Sequence, residues 1–305
     1  MTITDLEWQH QFVTTNQIRL HCVTQGKGDL VLLLHGFPEF WYSWRFQLPA
    51  LARHFKVVAP DLRGYNDSDK PGQGYDLDTL STDIWGLIES LGYTRAHIVG
   101  HDWGGMIAWH LAQKFPQSIN RLAILNAPHP DQLFRGFTSH LDQLRQSWPI
   151  LAFQMPGLPE WLIQHNLTNF IENLFRRQAV RKGAFTAETL QIYQAALAKG
   201  GVLSAAANYY RQLLSPQAWW PWNRPLHRVN APTLVLWAEE DFIFSPKLTE
   251  GMESLIQGSF RLKFVPDCGH WIQQEAPKLV NRELLSFLRQ TATGSRAVSG
   301  LAGAG

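Results

Sequence analysis

Short, unbroken hydrophobic runs recur along the chain, and each closes on a glycine, a proline or a charged turn. They are "LVLLLHG" (30–36), "FKVVAPDLRG" (55–64), "AHIVGHD" (96–102), "LAILNAP" (122–128), "TLVLWAEED" (233–241) and "RLKFVPDCGH" (261–270). Runs that do not alternate suit strands buried on both faces of a parallel sheet. Between them the period changes. In 78–92, Leu80, Ile84, Leu87, Ile88 and Leu91 recur at helical spacing and Gly92 ends the pattern. "GGMIAWHLAQKFP" (104–116) and "PKLVNRELLSFLRQ" (277–290) read the same way. Strands alternating with helices predict an α/β fold: a mostly parallel sheet with right-handed crossovers, flanked by helices.

From 131 to 228 no strand run occurs. "HLDQLRQ" (140–146), "PEWLIQHNLTNFIENLFRR" (159–177), "TAETLQIYQAALA" (186–198) and "LSAAANYYRQLL" (203–214) all read as helices. Turn-rich segments border them, "NAPHPDQ" (126–132) and "PWNRPLHRVNAP" (221–232). The pattern predicts a sheet core formed by 1–130 and 229–290, with an all-helical cap, 131–228, inserted over the strand ends. The last stretch, 291–305, is small, glycine-rich and aperiodic, and is expected to be disordered.

Composition narrows the function classes. The 305 residues are 45% hydrophobic and 17% charged, and 27 Lys and Arg against 25 Asp and Glu leave a net charge of +2. With no basic block, neither nucleic acid nor a membrane surface is an expected partner. Cys22 and Cys268 are the only cysteines, too few for a disulfide framework, and point to a reducing, cytoplasmic setting. The opening "MTITDLEWQH" lacks the basic and apolar regions of a secretory signal, and no apolar run is long enough to span a bilayer. Neither a metal-ligand cluster nor a phosphate-cradling loop is evident, so no metal and no cofactor are expected. Thirteen tryptophans, several in "AWWPWN" (218–223), fit either core packing or an aromatic-lined pocket.

The chemistry concentrates at strand ends, where open α/β sheets bind ligands. Asp102, Asp241 and His270 follow three of the runs, in the chain order nucleophile, acid, histidine. Asp102 sits in "GHDWGG" (100–105), a strand–turn–helix junction whose small residues permit a strained, closely packed turn. The plainer reading makes Asp102 a helix N-cap. Glu239 and Glu240 compete with Asp241, and Asn126, at the end of "ILNAP", cannot be the orienting acid. A carboxylate attacking an acyl carbon would give an anhydride, no more stable than the substrate. Attacking saturated carbon it gives an ordinary ester. His270 would then deprotonate the water that cleaves this ester, with Asp241 fixing the imidazole. The backbone N–H groups of Trp103 and Phe37, the latter in "HGFP", are the candidate oxyanion hole. His35 in that loop reads as structural.

These motifs resemble the epoxide hydrolases of the α/β-hydrolase superfamily over nearly the whole chain. "HGFPEFWYSWRFQLPAL" (35–51), "DLRGYNDSDKP" (61–71), "GHDWGG" (100–105), "NAPHP" (126–130), "FQMPGLPE" (153–160), "NYYR" (208–211) and "CGHWIQQEAP" (268–277) occur in order. The resemblance implies a small apolar substrate and water as partners, bound against Trp103, Phe37, Trp148 and Phe153. It also implies that Tyr210, in "NYYR", donates a proton to the epoxide oxygen. The family's second cap tyrosine usually precedes "FQxPG" in S-W-Y; here Ser147-Trp148-Pro149 stands, and proline has no hydroxyl. Tyr193 is a candidate substitute. Two alternatives follow from the same residues: a haloalkane or haloacetate dehalogenase using the same Asp–His–Asp set, or a receptor of this fold that binds a small ligand without turnover.

Overall fold

The computed structural model describes residues 8–139, 148–215 and 228–290. Eight strands form one sheet: β1 (Gln9–Thr15), β2 (Ile18–Gln25), β3 (Leu30–Leu34), β4 (Lys56–Pro60), β5 (Ala96–His101), β6 (Ile119–Leu125), β7 (Thr233–Ala238) and β8 (Phe260–Val265). Their order is β1-β2-β4-β3-β5-β6-β7-β8. The six strands anticipated from apolar runs, β3 to β8, are the parallel part, and every residue of β3, β5 and β7 is buried. The strands stop short of the polar ends of these runs, and the turns that follow β5, β6, β7 and β8 carry Asp102, Asn126, Asp241 and His270.

The antiparallel ribbon β1–β2 is the element the apolar runs did not flag. Its outer strand, "QHQFVTT", is half exposed and alternates, as a one-sided edge strand does.

The chain runs from β3 to β4 on one side, then crosses back to place β5 on the other side of β3. That reversal opens a crevice beyond the carboxyl ends of β3 and β5. The turns after those two strands carry Phe37 and Asp102. Helices α1 (Leu77–Ser90) and α2 (Trp103–Lys114) pack on one another and on the sheet. The α1 start is capped by Asp76, whose side chain accepts the Thr79 N–H.

Between β6 and β7 every described element is helical, from α3 (Pro130–Ser139) and α4 (Trp148–Ala152) to α7 (Ala187–Leu197) and α8 (Val202–Leu213). The run read as one helix over 159–177 breaks at Asn166, giving α5 (Leu158–His165) and α6 (Leu167–Ile171), followed by a π-helical stretch, Glu172–Arg177. The helix read at 140–146, the tryptophan cluster at 218–223 and the tail 291–305 lie outside the described residues. So does the side chain of Trp148. No described helix is long and apolar enough to cross a membrane.

Candidate active site

Asp102 stands at the turn from β5 into α2 with φ 50° and ψ −121°, a backbone that an L-residue adopts only when its surroundings impose it. They do so through contact. A Cβ on Gly104 would lie 2.2 Å from the Leu34 carbonyl oxygen and 2.6 Å from that of His35. The β5–α2 turn is therefore pressed directly on the backbone of β3. The N-cap reading of Asp102 fails, because its side chain makes no capping bond. Instead Oδ1 accepts the Phe37 N–H at 3.0 Å, and the nearby Trp103 N–H helps to favour the charged carboxylate. Gly36 permits this: a Cβ there would lie 2.4 Å from Asp102 Oδ1.

His270, fully buried, places Nδ1 2.9 Å from Asp241 Oδ2 and Nε2 3.7 Å from Asp102 Oδ2. Its buried Nε2 has no hydrogen-bond partner among the described residues. Asp241 is held by four bonds. Besides His270, it accepts from Asn126 Nδ2 at 2.8 Å and from the Ile243 and Phe244 N–H groups at 2.7 and 3.0 Å. Glu239 and Glu240 are exposed, so the fold separates the three acids that the sequence left in competition. Asn126, unsuited to be the acid, holds it, while its own Oδ1 accepts the Ala238 N–H.

Burial lowers the His270 pKa, but the Asp241 carboxylate, followed by Asp102 and Glu39, outweighs it and pushes it up to about 9. Burial also raises the Asp102 carboxyl above the usual range, against the pull of His270, His101 and the two N–H groups.

The roof is aromatic. Phe153 stacks on Tyr210 with ring centroids 4.7 Å apart, and Phe37 and Trp103 meet Tyr210 edge-on at 5.8 and 5.2 Å. Phe170, which sequence reasoning did not single out, closes on Phe37 at 6.3 Å. The Trp103 indole N–H, which can only donate, lies beside the Tyr210 hydroxyl and opposes the rise of its pKa. Burial and the Asp102 charge raise the Tyr210 pKa, keeping it protonated. The motif residues around Tyr210 anchor it. Gln154 donates to its carbonyl at 2.9 Å, and Arg211 reaches Glu160 Oε1 at 2.7 Å. The adjacent Tyr209 faces the sheet core and donates to the Arg63 carbonyl at 2.7 Å.

Tyr193 is not part of this group. Its hydroxyl donates to Gln274 Oε1 at 3.0 Å, and the charges it senses are Arg45 and Glu39 rather than Asp102. Tyr65 is closer in character to what the sequence sought. It is fully buried, its hydroxyl has no hydrogen-bond partner, and it senses Asp102 and Tyr210. Nothing in "DLRGY" marks that hydroxyl as unpaired, because only the tertiary packing removes its partners.

Beneath the nucleophile lies a second buried pair. His101 Nδ1 is 2.8 Å from Glu39 Oε2, and Nε2 is 2.9 Å from the His270 carbonyl oxygen. Gln273 and Gln274 each donate to Glu39 Oε1, at 3.0 and 2.7 Å. Burial alone would raise Glu39, but His101 and its neighbours outweigh that and hold it below the ordinary range. His35 is structural, as read: Nε2 accepts the Leu62 N–H and Nδ1 bonds the Gly36 carbonyl, which fixes a neutral tautomer.

Away from the crevice, ligand atoms of His21, Asp61 and Asp67 lie within 4.8 Å of one another, a cluster not evident in the sequence. Their needs are already met. Asp61 accepts from His21, Trp41 N–H and Asn66, and Lys199 reaches Asp67 at 2.6 Å. That donor set suits hydrogen bonding rather than a cation.

Comparison with known proteins agrees with this architecture. The family described as alpha/beta hydrolase fold matches residues 29–277. Epoxide hydrolase 4 of Homo sapiens is 39% identical over 283 residues, covering 90% of this chain and 76% of that protein. Epoxide hydrolase 2 of Caenorhabditis elegans is 35% identical over 292 residues, covering 93% and 81%. Among solved structures, the Bacillus megaterium epoxide hydrolase in complex with an inhibitor aligns with a TM-score of 0.84 at 32% identity, covering 92% of this chain and all of that one.

Proposed function

Because the chain belongs to the α/β-hydrolase fold family, among its epoxide hydrolases, we propose that it opens an epoxide to a vicinal diol through an alkyl ester on Asp102. One arrangement carries the reading: a strained carboxylate lies close enough to a buried phenol to raise its pKa, and a histidine nitrogen with no hydrogen-bond partner among the described residues lies 3.7 Å from that carboxylate.

In the first step Asp102 Oδ2 attacks an epoxide carbon. The C–O bond of the ring breaks, and the leaving oxygen takes the Tyr210 proton. An unassisted alkoxide would be a poor leaving group, so the buried phenol supplies much of the driving force. In the second step His270 Nε2 takes a proton from water, and the hydroxide adds to the ester carbonyl. The developing oxyanion lies on the carboxyl group that the Phe37 N–H already bonds, with the Trp103 N–H beside it as the second donor. Collapse breaks the bond between the ester carbonyl carbon and the substrate oxygen; the departing alkoxide takes the carboxyl proton, which releases the diol and restores the carboxylate, and the proton held by His270 returns to the Tyr210 phenolate. Asp241 keeps Nδ1 protonated throughout.

The same geometry switches His270 between two states. In the free protein the Asp102 charge helps to keep it protonated, which suits binding but not base catalysis. Alkylation neutralises Asp102 and removes one of the charges that raise His270, so its pKa falls below about 9 when a base is needed. The sign is therefore definite. Ester hydrolysis should accelerate with rising pH and level off, with a midpoint below 9. Alkylation needs Asp102 ionised and Tyr210 protonated, so it should not share the rise of the hydrolytic phase as His270 loses its proton. Single-turnover stopped-flow, following tryptophan fluorescence, separates the two phases. A hydrolytic phase that slows as pH rises contradicts the assignment of His270 as base.

Tyr210→Phe tests the substrate class. Turnover of styrene oxide should fall at least about tenfold, while any halide release from a chloroalkane or from fluoroacetate stays nearly unchanged, because halide leaves without a proton. Equal loss of both would make Tyr210 structural. The same panel, scored for diol and for free halide, separates an epoxide hydrolase from a dehalogenase, and the absence of both products would favour a receptor.

A further inference from the structure

A second cavity, of about 610 Å³, opens between residues 181–189 and the segments 42–46 and 274–277. Its lining shares no residue with the site around Asp102. Most of the wall is apolar, from the rings of Tyr42 and Phe46, Ala184 and Pro277. One residue in it is out of balance. Arg45 is only 2% exposed, yet among the described residues no carboxylate lies within 4.0 Å of its guanidinium. Its Nη1 donates to the Tyr42 carbonyl at 3.2 Å and to Gln274 Oε1 at 2.6 Å. The Tyr42 and Phe46 rings lie 4.6 and 4.4 Å from Cζ. Among the described residues neither Nε nor Nη2 has an acceptor. Buried guanidinium groups are normally matched by a carboxylate or phosphate, because desolvating the charge is costly.

The other charges of the wall do not supply the match. Glu275 Oε2 accepts the Arg181 and Gly269 N–H groups at 2.8 and 3.2 Å, and its carboxylate packs against Gly269. Glu188 is exposed at the rim. Arg181, also exposed, donates to the Asp267 and Glu275 carbonyls.

We propose that this cavity binds an organic monocarboxylate with an apolar body, its carboxylate bidentate on the Nε/Nη2 edge of Arg45 and its hydrocarbon against Tyr42, Phe46 and Ala184. The two free N–H groups form the planar fork that fits a carboxylate, and the Nη1–Gln274 bond can remain in place. One buried guanidinium balances one charge. A phosphate would bring a second, with only the exposed Arg181 to meet it.

Equilibrium dialysis with octanoate and with octan-1-ol tests the proposal on the full chain. Octanoate should bind the wild type one to one, and octan-1-ol should bind at least about tenfold more weakly. Arg45→Met keeps the length of the side chain and removes the charge. Gly183→Trp fills the mouth instead; Gly183 lines the cavity, and a Cβ there meets nothing within 4 Å, so this variant does not depend on repacking the core. Both should weaken octanoate binding at least about tenfold. No binding to the wild type, undiminished binding in Gly183→Trp, or equal affinity for acid and alcohol would overturn it. Should Arg45→Met fail to fold, the alcohol comparison and Gly183→Trp decide the matter.

Discussion

His270→Gln should trap the protein as an alkyl ester. Incubation with styrene oxide is expected to add the mass of one substrate to the intact chain, while steady-state turnover falls by about 10²–10⁴. The reasoning is that Asp102 attacks without help from His270, being a carboxylate already, whereas the ester cannot be cleaved until water is deprotonated. Glutamine can still bond Asp241, but it cannot take a proton. Asp102→Asn should show neither adduct nor turnover. Digestion should place the added mass on the peptide that contains residue 102. An adduct elsewhere, or none in His270→Gln under conditions where the wild type turns over, would remove the covalent step and leave His270 activating water directly on the epoxide.

The second large effect is structural. Gly104→Ala is expected to cost more than about 3 kcal/mol, at the exceptional end for a single added methyl group, and to lower Tm by roughly 5–10 °C. The obstacle is backbone rather than a yielding side chain: the new carbon would lie 2.2 Å from the Leu34 oxygen and 2.4 Å from its carbonyl carbon. Relief requires β3 and α2 to separate. That movement pulls the Phe37 N–H away from Asp102, so whatever protein still folds should also lose turnover. Gly72→Ala is the matched control. A Cβ there meets nothing within 4 Å, and neither Tm nor turnover should change. Thermal unfolding of the two variants beside the wild type checks this. An unaltered Gly104→Ala would mean that the elbow tolerates a looser fit than its contacts indicate.

The buried strands were legible because a strand covered on both faces has no reason to alternate, and β3, β5 and β7 are buried throughout. The β1–β2 ribbon was not, because an edge strand with one wet face carries a weaker signal. The helical stretch at 159–177 was recognised as helix, yet its break at Asn166 and the π-helical end were not. Periodicity averages over several turns and does not resolve a single interrupted one. For the site, Asp102, His270 and Tyr210 could be named from motif and chain order. The choice among Glu239, Glu240 and Asp241 could only be weighed, since three adjacent acids have nearly equal local chemistry.

The sequence by itself determined the fold class, the parallel core and the helical character of the described elements between β6 and β7, because burial pattern is a local property. Only the tertiary structure decided which acid faces His270, that Asn126 holds it, that Tyr193 bonds Gln274, and that among the described residues Tyr65 is left without a hydrogen-bond partner and Arg45 without a counter-ion. Each of those depends on which distant segments meet. Hydrogen-bond satisfaction and charge balance are properties of a packed neighbourhood, assembled here from segments 29 to 229 residues apart in the chain.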